Sequence, residues 1–121
     1  MDLQLQDKRA LVTGSTSGIG ESIAKTLAAE GVKVVVHGRR EAEAKRVADE
    51  ITKAGGIAAI AIGDVATDAG ADQVTHSALQ SFGGIDILVN NAGAYPAQGW
   101  FAESTDDWNQ VYNTNVSSIV Q

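Results

Sequence analysis

A doubly wound α/β domain, with a parallel sheet covered by helices on both faces, is the fold class this sequence predicts. Three observations carry that expectation. Short apolar, β-prone runs alternate with helical stretches along the chain, as right-handed strand–helix–strand units require. The second of these runs, Lys33-Val34-Val35-Val36-His37, is almost continuously apolar, which suits a strand buried on both faces. A glycine-rich stretch, Thr13–Gly20, separates the first strand from the first helix. In this arrangement the strands stand in the spatial order 3-2-1-4, and ligands bind beyond their carboxyl ends.

The elements follow in sequence order. Lys8–Thr13 reads as the first strand, with Arg9-Ala10-Leu11-Val12 as its apolar, β-prone body. Gly18–Glu30 reads as the first helix, stopped by Gly31. After the second strand comes Glu41–Ala54, a helix whose Ala44, Val47, Ala48 and Ile51 share one face at i, i+3, i+4, i+7, closed by Gly55-Gly56. Ile57–Ile62 is the third strand. Thr67–Phe82 is the third helix, with Asp68 near its positive end and Gly83-Gly84 after it. Ile85–Asn90 is the fourth strand, whose apolar Ile85, Ile87 and Val89 would face an unpaired sheet edge. An irregular segment then runs from Ala92 to Glu103. Ser104 or Thr105 caps a last helix bearing Trp108, Val111, Tyr112, Asn115, Val116 and Ile119.

Composition narrows the function classes. With 121 residues, 44% hydrophobic and 20% charged, the chain is expected to form one globular domain, residues 1–121. There is no cysteine, which excludes disulfides, thiolate metal sites and a thiol nucleophile. The net charge of −6 argues against nucleic acid as a partner. No apolar run approaches the roughly 20 residues that span a bilayer, and the N-terminus lacks a signal pattern. A soluble, cytoplasmic chain without membrane partners is the expectation. His37 and His76 fall on different elements with no third ligand beside them, so no metal site is expected.

The strand ends hold the chemistry. A helix that begins at a glycine loop turns unpaired N–H groups and the positive end of its dipole toward whatever sits above, which favours a phosphate. Gly14 suits a tight turn, and Gly18 and Gly20 allow close approach of backbone and ligand. Gly14, Ser15, Thr16, Ser17, Gly18, Ile19 and Gly20 are therefore candidate phosphate-binding residues. A P-loop is excluded, because no Lys-Ser or Lys-Thr follows the last glycine. The second strand ends about 20 positions later, where a ribose-binding acid would sit in an NAD protein. Gly38, Arg39 and Arg40 stand there instead. A guanidinium can hold a 2′-phosphate by charge-assisted bonds, so Arg39 and Arg40 point to NADP in preference to NAD. The alternative is that both arginines are surface residues opening the second helix.

Asp64 and Val65 follow the third strand. Asp64 could accept from an adenine amino group while the Val65 N–H donates to a ring nitrogen. Equally, Asp64 could form an Asx-turn leading into the next helix. Asn90, Asn91, Ala92 and Gly93 end the fourth strand. Two amides at the end of an apolar strand need partners, either neighbouring backbone or a cofactor ribose, and a simple asparagine–glycine turn is the competing reading. Asn115 inside the last helix fits a kink, a water-holding polar site or an exposed position.

Together these motifs resemble the short-chain dehydrogenase/reductase family, particularly its 3-oxoacyl-carrier-protein-reductase-like members. The resemblance rests on Thr-Gly-x-x-x-Gly-Ile-Gly at 13–20, Asp64-Val65, Asp86-Ile87-Leu88-Val89-Asn90-Asn91-Ala92-Gly93 and Asn113-Thr114-Asn115-Val116. It implies a Rossmann fold, NAD(P) on the rim, with NADP preferred in those members, and hydride transfer between the nicotinamide and an alcohol or ketone. It also implies a catalytic role for Asn115, as the residue that kinks its helix and holds a water in a proton relay. The segment 94–103 would border the substrate pocket, and the last helix would join a homo-oligomer interface.

The sequence departs from that family in one respect. The family's chemistry depends on a serine and a Tyr-x-x-x-Lys pair, in which the lysine lowers the tyrosine pKa. Here Tyr95 and Tyr112 are followed four residues later by Gly99 and Val116, and no lysine occurs after Lys53. The sequence reads as the cofactor-binding part of the fold, truncated after the fourth strand and its following helix. Three functions remain open at this point: the N-terminal portion of an NADP-dependent oxidoreductase that takes its alcohol or ketone only in a full-length form, a non-catalytic dinucleotide-binding module, or an inactive fragment.

Overall fold

The computed structural model describes residues 5–91. Its elements are β1 (Arg9–Val12), α1 (Gly18–Ala29), β2 (Lys33–Gly38), α2 (Glu41–Lys53), β3 (Ile57–Ile62), α3 (Asp68–Phe82) and β4 (Ile87–Val89). All the strand pairs are parallel, in the order β3-β2-β1-β4. The register sets Leu11 beside Val35 and Leu88, and Val36 beside Ile60. The parallel doubly wound architecture expected from the sequence is thus what the chain adopts.

Period-two alternation along the strands divides the core into two layers. Leu11, Val35, Ala61 and Leu88 face α3 and pack with Val74, Ala71 and Ala78. Ala10, Val12, Val34, Val36 and Val89 face the other way, against α1 and α2. The helices bury small residues on this contact: Gly20, Ala24 and Ala28 from α1, and Gly70, Ala71 and Ala78 from α3. Alanine and glycine let each helix axis lie close to the sheet, so the loops that join strand to helix are short. Thr67 caps α3, its side chain accepting the Gly70 N–H at 3.0 Å, and left-handed Gly83, φ 80°, follows the last turn. A serine or threonine cap at one end and a glycine at the other fix both boundaries.

β4 differs from the sequence expectation. It covers Ile87–Val89, and Ile85 lies before it, buried in the α3 layer. Arg9 is the reason. Its N–H donates to Asp86 Oδ2 at 2.9 Å while the Asp86 N–H donates back to the Arg9 carbonyl at 2.7 Å. The chain is pinned at Asp86, so regular pairing starts one residue later and Ile85 turns under the sheet. The segments Ala92–Glu103 and 104–121, including the last helix expected from the sequence, lie outside the described residues.

Candidate functional site

Every carboxyl end of the sheet opens on the same rim. Thr13, fully buried, joins two of these ends. Its N–H donates to the Val89 carbonyl at 2.9 Å. Its hydroxyl lies 3.1 Å from Asn90 Oδ1 and accepts the Asn91 N–H at 2.9 Å. Beyond it, Gly14 takes φ 61° and Gly18 φ 58°, left-handed positions where a Cβ would strain the backbone. The loop then exposes Ser17, Gly18 and Ile19. Ser17 is the N-cap of α1 and makes no side-chain cap hydrogen bond. The first N–H groups of α1 therefore face outward beneath exposed backbone, which is the arrangement that receives an anionic oxygen.

Ser15, one of the candidate phosphate-binding residues, is turned away from the exposed face of the loop. It is fully buried; its hydroxyl donates to the Val12 carbonyl at 2.7 Å and accepts the His37 N–H at 2.9 Å. Its own N–H donates to the His37 carbonyl at 3.0 Å. Once Gly14 turns the chain, Ser15 points inward and supplies the partners that the ends of β1 and β2 would otherwise lack.

His37, 3% exposed, sits at the centre of the rim. The Gly14 N–H donates to its Nδ1 at 2.8 Å, and its Nε2 lies 2.8 Å from the Gly63 carbonyl oxygen. Burial pushes the imidazole pKa below the usual histidine value, an effect opposed by the Gly63 hydrogen bond and by the charge of Asp64.

Arg39 and Arg40 are both exposed. Neither forms a salt bridge with a described residue, whereas Arg9, Lys25, Lys45 and Arg46 all do. Together with Thr16, Ser17 and Glu43 they line an open cleft of about 300 Å³. Glu43, the one acid in that lining, has its carboxylate 3.5 Å from the Arg46 guanidinium, which draws its charge away from the two free arginines. Arg46 also donates to the Thr16 carbonyl at 3.0 Å and to Glu21 at 3.2 Å, tying α2 to the glycine loop and to α1. Paired with Arg46 and Lys25, the Glu21 carboxyl is held below the usual carboxylate range. Gly38 is not open space: a Cβ there would meet the Thr16 methyl at 2.5 Å. Its glycine is needed for loop packing.

At the β3 end Asp64 forms the turn that was the alternative to an adenine contact. Its Oδ1 accepts the Ala66 N–H at 2.9 Å, forming the Asx-turn, while the residue remains exposed with its second oxygen available. The Val65 side chain is buried in the α3 layer. At the β4 end, Asn91 Nδ2 donates to the Gly14 carbonyl at 3.3 Å. Asn90 is 1% exposed, and its buried Nδ2 has no partner among the described residues. An orphaned donor of this kind costs about 1–3 kcal/mol unless something accepts from it. Ala92, Gly93 and Asn115 lie outside the described residues. A larger cleft of about 620 Å³ opens at the opposite end of the sheet, lined by Gln6, Glu30 and the helix-ending Gly31 and Gly55.

The chain has counterparts among known proteins. Residues 8–121 match the family model described as short chain dehydrogenase. The chain belongs to that family. Like other short chain dehydrogenases it is related to oxidoreductases: it is 39% identical over 121 residues to the uncharacterized oxidoreductase YvaG of Bacillus subtilis, covering 100% of this chain and 45% of that one. The chain thus spans about half the length of such relatives. Among solved structures it resembles L-sorbose reductase from Gluconobacter frateurii, complexed with NADPH and L-sorbose, with TM-score 0.74 and 42% identity over 78% of this chain and 36% of that one. It also resembles a 7α-hydroxysteroid dehydrogenase complexed with NADH and 7-oxo glycochenodeoxycholic acid, with TM-score 0.73 and 35% identity over 81% of this chain and 41% of that one. As a short chain dehydrogenase the chain carries the family's Rossmann-like sheet. No helix among the described residues is long and apolar enough to cross a membrane.

Two rim residues of this short chain dehydrogenase escaped the sequence reading, His37 and Arg46. A signal existed for the first. A histidine inside an apolar strand must find partners for both ring nitrogens when buried, and the strand end beside a glycine loop is where backbone partners are free. Arg46 had no such signal, since arginine at the middle of an amphipathic helix is usually a solvated residue.

Proposed function

We propose that this chain is the NADP-binding part of an oxidoreductase acting on an alcohol or ketone. The observation that carries the reading is the pairing of an α1 N-terminus lacking a side-chain cap with two arginines free of salt bridges, on either side of one polar cleft. When bound, the nicotinamide group supplies hydride transfer to or from the substrate carbonyl carbon. The protein's own residues bind and orient. The backbone of Thr16, Ser17, Gly18, Ile19 and Gly20 would receive the pyrophosphate, with Gly14 making the turn that presents it and the α1 dipole favouring its charge. Arg39, backed by Arg40, would hold the 2′-phosphate. A charge-assisted bond of that kind contributes roughly 1.5–3 kcal/mol, or about 10- to 150-fold in preference for NADP over NAD. The free oxygen of Asp64 and the Val65 N–H, which has no acceptor among the described residues, suit the adenine edge. The orphaned Asn90 Nδ2, with Asn91, Ala92 and Gly93, suits the nicotinamide-side ribose. Asn115 is assigned the relay position by its match to the family motif. A cytoplasmic location accords with this reading.

The test is Arg39→Ala, with affinities for NADP and NAD measured side by side. The reading requires the NADP/NAD affinity ratio to fall at least about tenfold. An unchanged ratio assigns Arg39 to the surface and removes the argument for NADP.

A further inference from the structure

We infer that His37 is a positioning residue for the cofactor loops, acting as a neutral imidazole protonated on Nε2 that fixes Gly14 and Gly63 at once. The inference rests on the NADP reading above and deepens it. The hydrogen-bond partners settle the tautomer. Gly14 offers an N–H, so Nδ1, 2.8 Å away, must present its lone pair. Gly63 offers a carbonyl oxygen, so Nε2, 2.8 Å away, must carry the proton. The histidine backbone is engaged on the same side, donating to Ser15 Oγ and accepting from the Ser15 N–H.

Topology gives this ring its leverage. β2 lies between β1 and β3 in the sheet, so the loops after β1 and β3 share no strand pairing. The His37 side chain reaches both. It sets the Gly14 N–H inside the phosphate-side turn, where φ is 61°, and anchors the carbonyl that immediately precedes Asp64 on the adenine side. One ring thereby fixes the spacing between the two halves of the cofactor site. Protonation of Nδ1 would set N–H against N–H and release Gly14. The charged groups facing the ring are Asp64 from the β3 end and Arg39 from the β2 end, which oppose each other, and the glycine loop contributes no titratable residue.

Two substitutions separate the ring's bonds. An asparagine side-chain oxygen falls where Nδ1 stands, and a glutamine amide falls where Nε2 stands. His37→Asn therefore keeps the acceptor for Gly14 and loses Gly63, and His37→Gln does the reverse. NADP affinity is measured for the full chain and both variants at pH 8 and pH 5, with hydrogen exchange at the Gly14 amide and the tautomer read from histidine ¹⁵N shifts; His76→Gln assigns the signals. At pH 8, both variants should bind NADP more weakly than the parent chain, His37→Gln by about tenfold and His37→Asn by a smaller factor. On acidification the parent should lose more affinity than His37→Asn, the titration of the cofactor phosphate being common to both. The Gly14 amide should exchange slowly in the parent and in His37→Asn, and faster in His37→Gln. Equal Gly14 exchange in all three chains, equal affinity of parent and His37→Gln, or an Nδ1–H tautomer at pH 8 overturns the inference. Absence of NADP binding by every chain instead contradicts the cofactor reading, and Gly14 exchange with the tautomer then decides the role of His37 alone.

Discussion

Asn91 reaches back across the glycine loop, its Nδ2 3.3 Å from the Gly14 carbonyl oxygen, and Gly20 lies directly beneath the pair. A Cβ added at Gly20 would meet that same carbonyl oxygen, and Asn91 Nδ2 at 2.6 Å. The carbonyl belongs to the backbone and cannot swing aside as the end of a long side chain would. Gly20→Ala should therefore destabilise the chain by about 1–3 kcal/mol through overpacking, read as a lower urea midpoint with an unchanged slope. A midpoint equal to that of the parent would show that α1 can lift off the loop freely.

At the opposite end of the sheet Arg9 and Asp86 form a two-pronged ion pair, Nε to Oδ2 at 2.9 Å and Nη2 to Oδ1 at 3.0 Å. The arginine hydrogen bond holds the Asp86 carboxyl below its usual value of 3.8. With the folded-state pKa depressed, the unfolded chain takes up the proton first as pH falls. The contribution is then fully present above about pH 4 and is lost as pH drops through the folded value. Because both side chains are near one-third exposed, solvent screening limits the pair, and Asp86→Asn should cost about 1 kcal/mol at low salt. Denaturation in 1 M salt should shrink that difference.

Thr67 caps α3 by accepting the Gly70 N–H, and its hydroxyl donates to the Asp64 carbonyl at 3.1 Å. Thr67→Ala removes both bonds from a turn that carries the candidate adenine residues. A loss of about 1 kcal/mol is expected. NADP affinity should fall with it, since Asp64 loses a tether; calorimetry on parent and variant checks the two effects together.

His37 gives stability its own pH dependence near neutrality. Its pKa is lowered by burial, so it stays neutral in the folded chain when the unfolded chain protonates below about 6.5. Folding stability should therefore decline as pH falls from about 6.5 toward the folded-state value and then level off. In His37→Asn this component should vanish from the urea midpoint measured across pH 5 to 8. A profile identical in the two chains would mean the ring takes up its proton equally well folded and unfolded.

The sheet was legible because its signals are local. Val34-Val35-Val36 and the Ala44, Val47, Ala48, Ile51 spacing each specify an element by period alone, and alternation with glycine stops then fixes a parallel order. The family motif at 13–20 was equally plain. What the sequence did not disclose depends on contacts between distant residues. Ser15 reads like its neighbours in the loop, yet the left-handed turn at Gly14 sends it inward to His37. Ile85 reads as strand, yet the tie between Arg9 and Asp86 shifts it under α3. Gly38 stands where an acid would sit in an NAD protein, yet a side chain there would meet the methyl of Thr16. Residue type sets what a position can do, but only the crossing of β1, β2 and β3 determines which partner it meets.

The rim of this sheet is proposed to bind NADP through the α1 N-terminus and Arg39. Titrating NADP and NAD into the 121-residue chain by isothermal calorimetry at pH 8 and low salt tests it most directly. Saturable binding of NADP, tighter than NAD by about tenfold or more, is the predicted result. Binding of neither, or tighter binding of NAD, would contradict it.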